Sequence, residues 1–456
     1  MDTLYHKLHK ISEKNKISFH MPGTKGGTAL PVKYLKDVFK IDLTELRLTD
    51  NLYAPTGIIK QAQNEVAQIY KAKNTFFLIN GTSGGIIAAI GYLSSLNKKI
   101  LIDRNCHVSV INALSLFKIK PFFVMPEYKQ SYGHMGCVNA EELEKILLEE
   151  KDIGAVFITS PNYYGWTADI KKISKICRNH GIILCVDAAH GAHFPFSEKL
   201  PDSPVTLGGD IVLMSVHKTM PAPTQTAVMH ISENIDAVKM KNWINMFQTT
   251  SPSYIFMAYI HLAVEYMNQN GEKIYDELYE NINRIPENIN IIKNDAFKDF
   301  SRIVINTIPI GRTGYELSDF LYNYYNIEVE MADLYNVVCI AGAGNTKQHF
   351  EILSEGCTKF INEFKSSPLK ILPPPPYSYY ECVPGDILYA EKKKCRLDLS
   401  INKIAGEQVC VYPPGVPVVL PGEVITKSAV QYINEVKSAG GTVIGEENGF
   451  INIVSL

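Results

Sequence analysis

A chain of 456 residues, 46% of them hydrophobic, is long enough for a large core and more than one domain. Its formal net charge of -2 supplies no strong field to draw it to nucleic acid or an anionic membrane. Its apolar runs fall far short of the roughly 20 residues of a membrane-spanning helix. Met1–Lys7 lacks a secretory pattern, and the nine cysteines include no CxxC pair. A soluble cytoplasmic protein without a metal site is expected.

Residues 1–55, rich in Gly, Pro and Thr, read as an irregular N-terminal arm. Regular alternation begins near residue 58. The pattern predicts helices near 58–72, 84–96, 108–117, 140–149 and 169–180. Strands are predicted at Thr75–Ile79, Lys99–Ile102, Phe122–Val124, Ala155–Thr159, Ile182–Val186, Ile211–Met214 and Ala227–Ile231. Such alternation implies the α/β class, a mostly parallel sheet covered on both faces, with ligands beyond the carboxyl ends of its strands. Residues 233–285 read as largely helical. A smaller α/β unit follows, with strands near 302–307, 328–331 and 336–340 and a helix near 315–325. Pro373-Pro374-Pro375-Pro376 marks a connection, since proline suits neither a helix interior nor a central strand. The divisions drawn are 1–55, an arm; 56–285, a large domain; 286–370, a small α/β domain; and 371–456, a C-terminal domain.

Two of the apolar runs end in reactive groups. Ile182–Val186 leads into Asp187-Ala188-Ala189-His190, and Ile211–Met214 into Ser215-Val216-His217-Lys218-Thr219. A carboxylate at a buried strand end is costly without a cationic or strongly donating partner. A lysine beside an apolar sheet edge has its pKa lowered, which leaves a nucleophilic amine. Together they suit pyridoxal 5'-phosphate, which needs a lysine for covalent attachment and an aspartate to keep its ring nitrogen protonated. Ser215 and His217 alternate with Val216, so on a continuing strand both face one side and can donate to phosphate. Asn80-Gly81-Thr82-Ser83 lies between strand and helix, where it is either a phosphate site or an ordinary capped turn. Ala189 is small enough for a flat ring to lie against, and His107 is placed to stack on the opposite face.

In chain order these segments resemble the ornithine/lysine/arginine decarboxylases, fold-type-I pyridoxal-phosphate enzymes. The blocks are His20-Met21-Pro22-Gly23-Thr24-Lys25, with Thr24 where histidine is usual; Asp50-Asn51-Leu52-Tyr53-Ala54-Pro55-Thr56-Gly57; Asn80-Gly81-Thr82-Ser83; the Asp187 and Lys218 segments; Thr249-Thr250-Ser251-Pro252-Ser253-Tyr254; and Tyr412-Pro413-Pro414-Gly415-Val416-Pro417. The resemblance implies an aspartate-aminotransferase-like large domain with smaller C-terminal α/β domains, in the short form without an N-terminal wing. It implies α-decarboxylation of arginine, lysine or ornithine in a homodimer or higher homo-oligomer, with the active site at the subunit interface. Lys218 would carry the cofactor, Asp187 would face its ring nitrogen, His107 would stack on it, and His190 would lie near the substrate. Thr82, Ser83, Ser215 and His217 would hold the phosphate, helped by Thr250 of the partner subunit.

The departures lie outside the cofactor set. Val383-Pro384-Gly385-Asp386 lacks the arginine usual after the proline run, and Ala258-Tyr259-Ile260-His261 lacks the usual serine and aspartate. They leave two alternatives, a modified basic amino acid as substrate or an aminotransferase-like reaction. An aminotransferase needs an arginine in the small unit, and Arg302, Arg312 and Arg396 are available outside any motif. The distal cation of a basic substrate needs a carboxylate. Glu423 and Glu407, flanking the Tyr412-Pro413-Pro414 segment, are the candidates, with Asp50 and Glu45 behind them.

Overall fold

A seven-stranded sheet organises the large domain. The computed structural model describes residue 13 and residues 16–36, 38–293 and 296–455, so Met1–Lys7, read above for a signal, lies outside the described residues. The strands stand in the spatial order Asn74–Leu78, Ala227–Ile231, Ile211–Ser215, Ile183–Asp187, Ile153–Thr159, Lys99–Asp103 and Phe122–Val124. All neighbours pair in parallel except Ala227–Ile231, which is antiparallel to both of its own. The near-continuous apolar runs follow from burial on both faces. Phe157, Cys185 and Leu213 pack with Ile86 and Ile90 on one side, while Val156, Leu184 and Val212 pack with Ile173 and Met257 on the other.

The covering helices include Ile58–Tyr70, Gly81–Ser94, Val108–Leu116, Ala140–Glu149 and Ile170–Asn179. Several start where sequence chemistry dictates. Asn139 accepts hydrogen bonds from the N–H groups of Glu141 and Glu142, and Asp169 accepts one from Lys172. The helices Ala237–Met246 and Tyr254–Asn283 then lead to the small unit. There Asn336–Ile340 pairs antiparallel with Arg302–Asn306 and Met331–Ala332, under the helix Gly314–Tyr324. A further helix, Lys347–Phe364, was not among the predicted elements, although Phe350, Leu353, Cys357 and Phe360 trace a buried stripe at three- and four-residue spacing. The C-terminal unit has its own core, in which Ala429, Val430 and Ile433 of the helix Lys427–Ser438 pack on Val418 and Val419. No helix among the described residues is long and apolar enough to cross a membrane.

The arm is more ordered than its composition suggested. Ile17–Phe19 is a strand parallel to Ile327–Val329 of the small unit. The chain then crosses the large domain, where the Gly23 N–H donates to the His217 carbonyl at 2.8 Å. A Cβ on Gly23 would stand 2.4 Å from the Met220 carbonyl oxygen, so only glycine permits this approach. Residues before the large domain thus brace the turn that carries Lys218.

Candidate active site

Ile183–Asp187 and Ile211–Ser215 are adjacent and parallel, with Asp187 opposite Leu213, so both deliver their last residues to one edge of the sheet. Asp187 is buried, and its Oδ1 accepts from the Ala189 N–H at 3.1 Å. After Ser215 the chain winds into a helical turn, Val216–Thr219. That corrects the expectation of continued strand alternation, because Ser215 and His217 do not share a strand face. Ser215 is fully buried, and its hydroxyl lies 3.0 Å from that of Thr82. It supports Thr82 from behind. His217 Nδ1–H donates to the Thr226 carbonyl at 2.9 Å, which fixes the ring.

The helix Gly81–Ser94 begins without a side-chain cap, since Asn80 makes no such bond. Thr82 lines the turn and Ser83 is exposed beside it. The ordinary capped-turn reading is therefore not met, and a helix N-terminus with uncapped N–H groups and flanking hydroxyls suits an anion. His107 is itself a cap: its Nδ1 accepts from the Ser109 N–H at 3.2 Å, leaving the ring exposed at the start of Val108–Leu116.

Lys218 is half-buried, with Nζ 3.0 Å from Nε2 of His190. Burial lowers the lysine pKa from its ordinary value; Asp187 opposes the shift and Arg302 adds to it. His190 is held well below the usual imidazole range, first by burial and then by the positive charges of Lys218 and Arg302. Its ring lies 4.7 Å from that of Tyr163, whose hydroxyl donates to Glu330. Glu330 also accepts from the Met21 N–H at 2.7 Å, tying the arm to the site. Tyr163, Glu330 and Arg302 were not assigned to the site from sequence. Arg302 stood among three arginines without a motif, and the available signal for Tyr163 was its place in a Pro-Asn-Tyr-Tyr-Gly turn just after a buried strand.

The proposed carboxylates for the distal group fall elsewhere. Glu423 is fully buried and forms a two-pronged ion pair with Arg104, Nη2 to Oε2 at 2.9 Å, while Oε2 also accepts from the Leu420 N–H. It is a structural acid, and the substrate-binding expectation for it is withdrawn. Glu407 is exposed on the C-terminal unit with Asn452 and Lys392 as partners, none of them on the elements that carry Lys218, so it too is not brought to the site. Asp50 accepts from the N–H groups of Thr56, Gly57 and Ile59 and organises the start of Ile58–Tyr70. Glu45 and Thr250 are exposed. Breaking the buried pair has a measurable consequence. Arg104→Met is expected to destabilise the protein by about 3–5 kcal/mol in urea unfolding, because Glu423 is left charged and unpaired, and Arg104→Met/Glu423→Met to recover most of that loss. Equal destabilisation in the single and double variants would contradict this assignment.

The residues present fit pyridoxal phosphate. Hydroxyls and an uncapped helix start suit its phosphate, Asp187 suits a protonated ring nitrogen, and Ala189 and His107 offer a small residue and a free ring for its two faces. A mostly parallel sheet of this order, with its lysine on the turn after Ile211–Ser215, is the fold-type-I architecture of pyridoxal-phosphate enzymes. Residues 2–309 match the family model described as Orn/Lys/Arg decarboxylase, major domain, and residues 375–447 the one described as Orn/Lys/Arg decarboxylase, C-terminal domain. The chain belongs to the Orn/Lys/Arg decarboxylase family, whose members are pyridoxal-phosphate-dependent carboxy-lyases of basic amino acids. It is 31% identical to the arginine decarboxylase of Halalkalibacterium halodurans over 96% of this chain and 94% of that one. It is 30% identical to the arginine decarboxylase of Bacillus subtilis over 99% and 96%. Among solved structures, the lysine decarboxylase of Francisella novicida superposes with a TM-score of 0.79 at 18% identity, over 99% of this chain and 80% of that one.

Proposed function

We propose that the chain decarboxylates arginine at Cα, releasing CO2 and the corresponding amine. The choice of arginine over lysine and ornithine is supported by the near-full-length similarity to proteins named arginine decarboxylase. The reaction type rests on one observation: Lys218 meets His190 at 3.0 Å on the edge where Asp187 ends, while the buried arginine of the small unit is only 1% exposed. An aminotransferase uses such an arginine to grip the α-carboxylate. A decarboxylase gains by leaving that group unclamped, since a strong cation there stabilises the ground state.

Bound pyridoxal phosphate supplies an electron sink for the pair released from the breaking Cα–carboxylate bond. In this reading Thr82, Ser83 and His217 hold its phosphate, with Ser215 behind Thr82. Asp187 keeps a negative charge against the ring nitrogen, which favours the protonated form. His107 and Ala189 confine the ring between them, and Lys218 provides the attaching amine. His190 and Lys218 hold the proton returned to Cα, within hydrogen-bond reach of each other. We further infer a homodimer in which Thr250 of the partner subunit completes the phosphate site. Phe39 and Leu48 of the arm, 85% and 84% exposed, supply apolar surface for that contact. The nine cysteines, all free, suit the reducing cytoplasm.

The test is amine formation by cofactor-loaded protein offered arginine, lysine and ornithine separately. The expected result is a kcat/KM for arginine at least about 10²-fold above the other two, the discrimination within reach of a site shaped for side-chain length. Equal turnover of lysine or ornithine would overturn the substrate assignment, and a keto acid formed from arginine would overturn the reaction.

A further inference from the structure

Arg302 takes no part in the steps above, yet it contacts the residue that does. It opens the strand Arg302–Asn306 and is 1% exposed, and among the described residues no carboxylate lies within ion-pair distance of it. Its Nη2 lies 3.3 Å from Nδ1 of His190 and 3.4 Å from the His190 carbonyl oxygen. Its Nε and Nη1 are buried without an acceptor. A buried cation so incompletely satisfied is costly, and such groups persist where they have work to do. The backbone makes room for it: Gly165 has φ +87°, and a Cβ there would stand 2.7 Å from the Arg302 Cβ.

Arginine is always protonated and carries only donors. Its bond to His190 therefore requires a lone pair on Nδ1. His190 is neutral, held so first by burial and then by the fixed charge of Arg302, and has one ring proton. That proton then sits on Nε2, 3.0 Å from Lys218 Nζ. An ammonium has no lone pair with which to accept it, so the same bond calls for Lys218 as the free amine. Were Lys218 charged and donating to Nε2, the ring proton would move to Nδ1 and point at the guanidinium.

We propose that Arg302 is a positioning residue that locks His190 in its Nε2–H tautomer, so that His190 presents its proton on the side of Lys218 and Lys218 is kept as a free amine. The inference rests on the reading of Lys218 and His190 as the reacting pair, and its test does not depend on turnover. Asp187 and Glu330 act on Lys218 in the opposite sense to Arg302, and His107 and His217 add charge toward His190 when protonated. Asp187 and Glu330 remain in the variants below.

The experiment is nitrogen-15 NMR of histidine-labelled full-length protein, freed of cofactor with hydroxylamine, with the His190 signal assigned by its loss in His190→Gln. Wild type is expected to show a protonated Nε2 and a bare Nδ1. In Arg302→Met the ring proton moves to Nδ1. The midpoint pH for labelling Lys218 with an amine-reactive reagent, read by peptide mass, then rises by about one unit or more. Arg302→Lys keeps a donor and the charge, and is expected to retain the wild-type tautomer and midpoint. A wild-type His190 protonated on Nδ1 would overturn the proposal. So would a folded Arg302→Met in which neither tautomer nor midpoint moves. If Arg302→Met does not fold, the wild-type tautomer and the Arg302→Lys midpoint decide.

Discussion

Replacing Lys218 with alanine is expected to lower kcat by at least about 10³-fold and to abolish stable cofactor retention on gel filtration, with the fold intact. The strand Ile211–Ser215 and the helical turn Val216–Thr219 place this one amine at the sheet edge. Burial holds its pKa below the ordinary lysine value, which raises the share of nucleophilic amine. The fold is expected to survive because, among the described residues, Lys218 forms no ion pair and the hydrogen bond its side chain loses is the one to His190. A borohydride-reduced adduct on another lysine of a folded Lys218→Ala protein would mean that another amine carries the cofactor.

The second large effect is expected at Asp187. Asp187→Asn is nearly isosteric, and the new amide oxygen can still accept from the Ala189 N–H, so the backbone turn is kept. What is lost is the negative charge that favours a protonated ring nitrogen. Preorganised charge of this kind is worth about 10²–10³-fold in kcat. The cofactor should still bind, and its absorbance band should shift. A variant within about threefold of wild type would show that the ring nitrogen does not depend on this carboxylate. The pair of variants separates attachment from activation: Lys218→Ala loses the cofactor, whereas Asp187→Asn keeps it and loses rate.

Much of the sheet edge was legible because its strands are uninterrupted apolar runs with abrupt polar ends. Asp187 and Lys218 reach one sheet edge because those strands are adjacent and parallel, as expected of a mostly parallel sheet. Local departures were harder. Nothing in Ser215-Val216-His217 announces that the chain leaves the strand at Val216, since no glycine or proline marks the change, and the alternation argument failed there. Long-range pairings were not visible at all. Arg104 and Glu423 are 319 positions apart, so Glu423 looked like a free acid beside a motif when it is locked in an ion pair. Arg302 and His190 are 112 positions apart on different units, and no pattern within either segment joins them. The three-residue strand Ile17–Phe19 is likewise defined by its partner, Ile327–Val329, and not by its own residues.

The most direct measurement is borohydride reduction of the cofactor-loaded protein followed by peptide mass mapping. A reduced pyridoxyl-phosphate adduct on Lys218, and on no other lysine, is the predicted result. Lys25 makes the measurement discriminating. It is buried in the arm, bonded to the His20 and Ile340 carbonyls, and pushed down to about 7 by burial, so it presents a second amine with a lowered pKa. An adduct on Lys25, or none on Lys218, would contradict the account of the site.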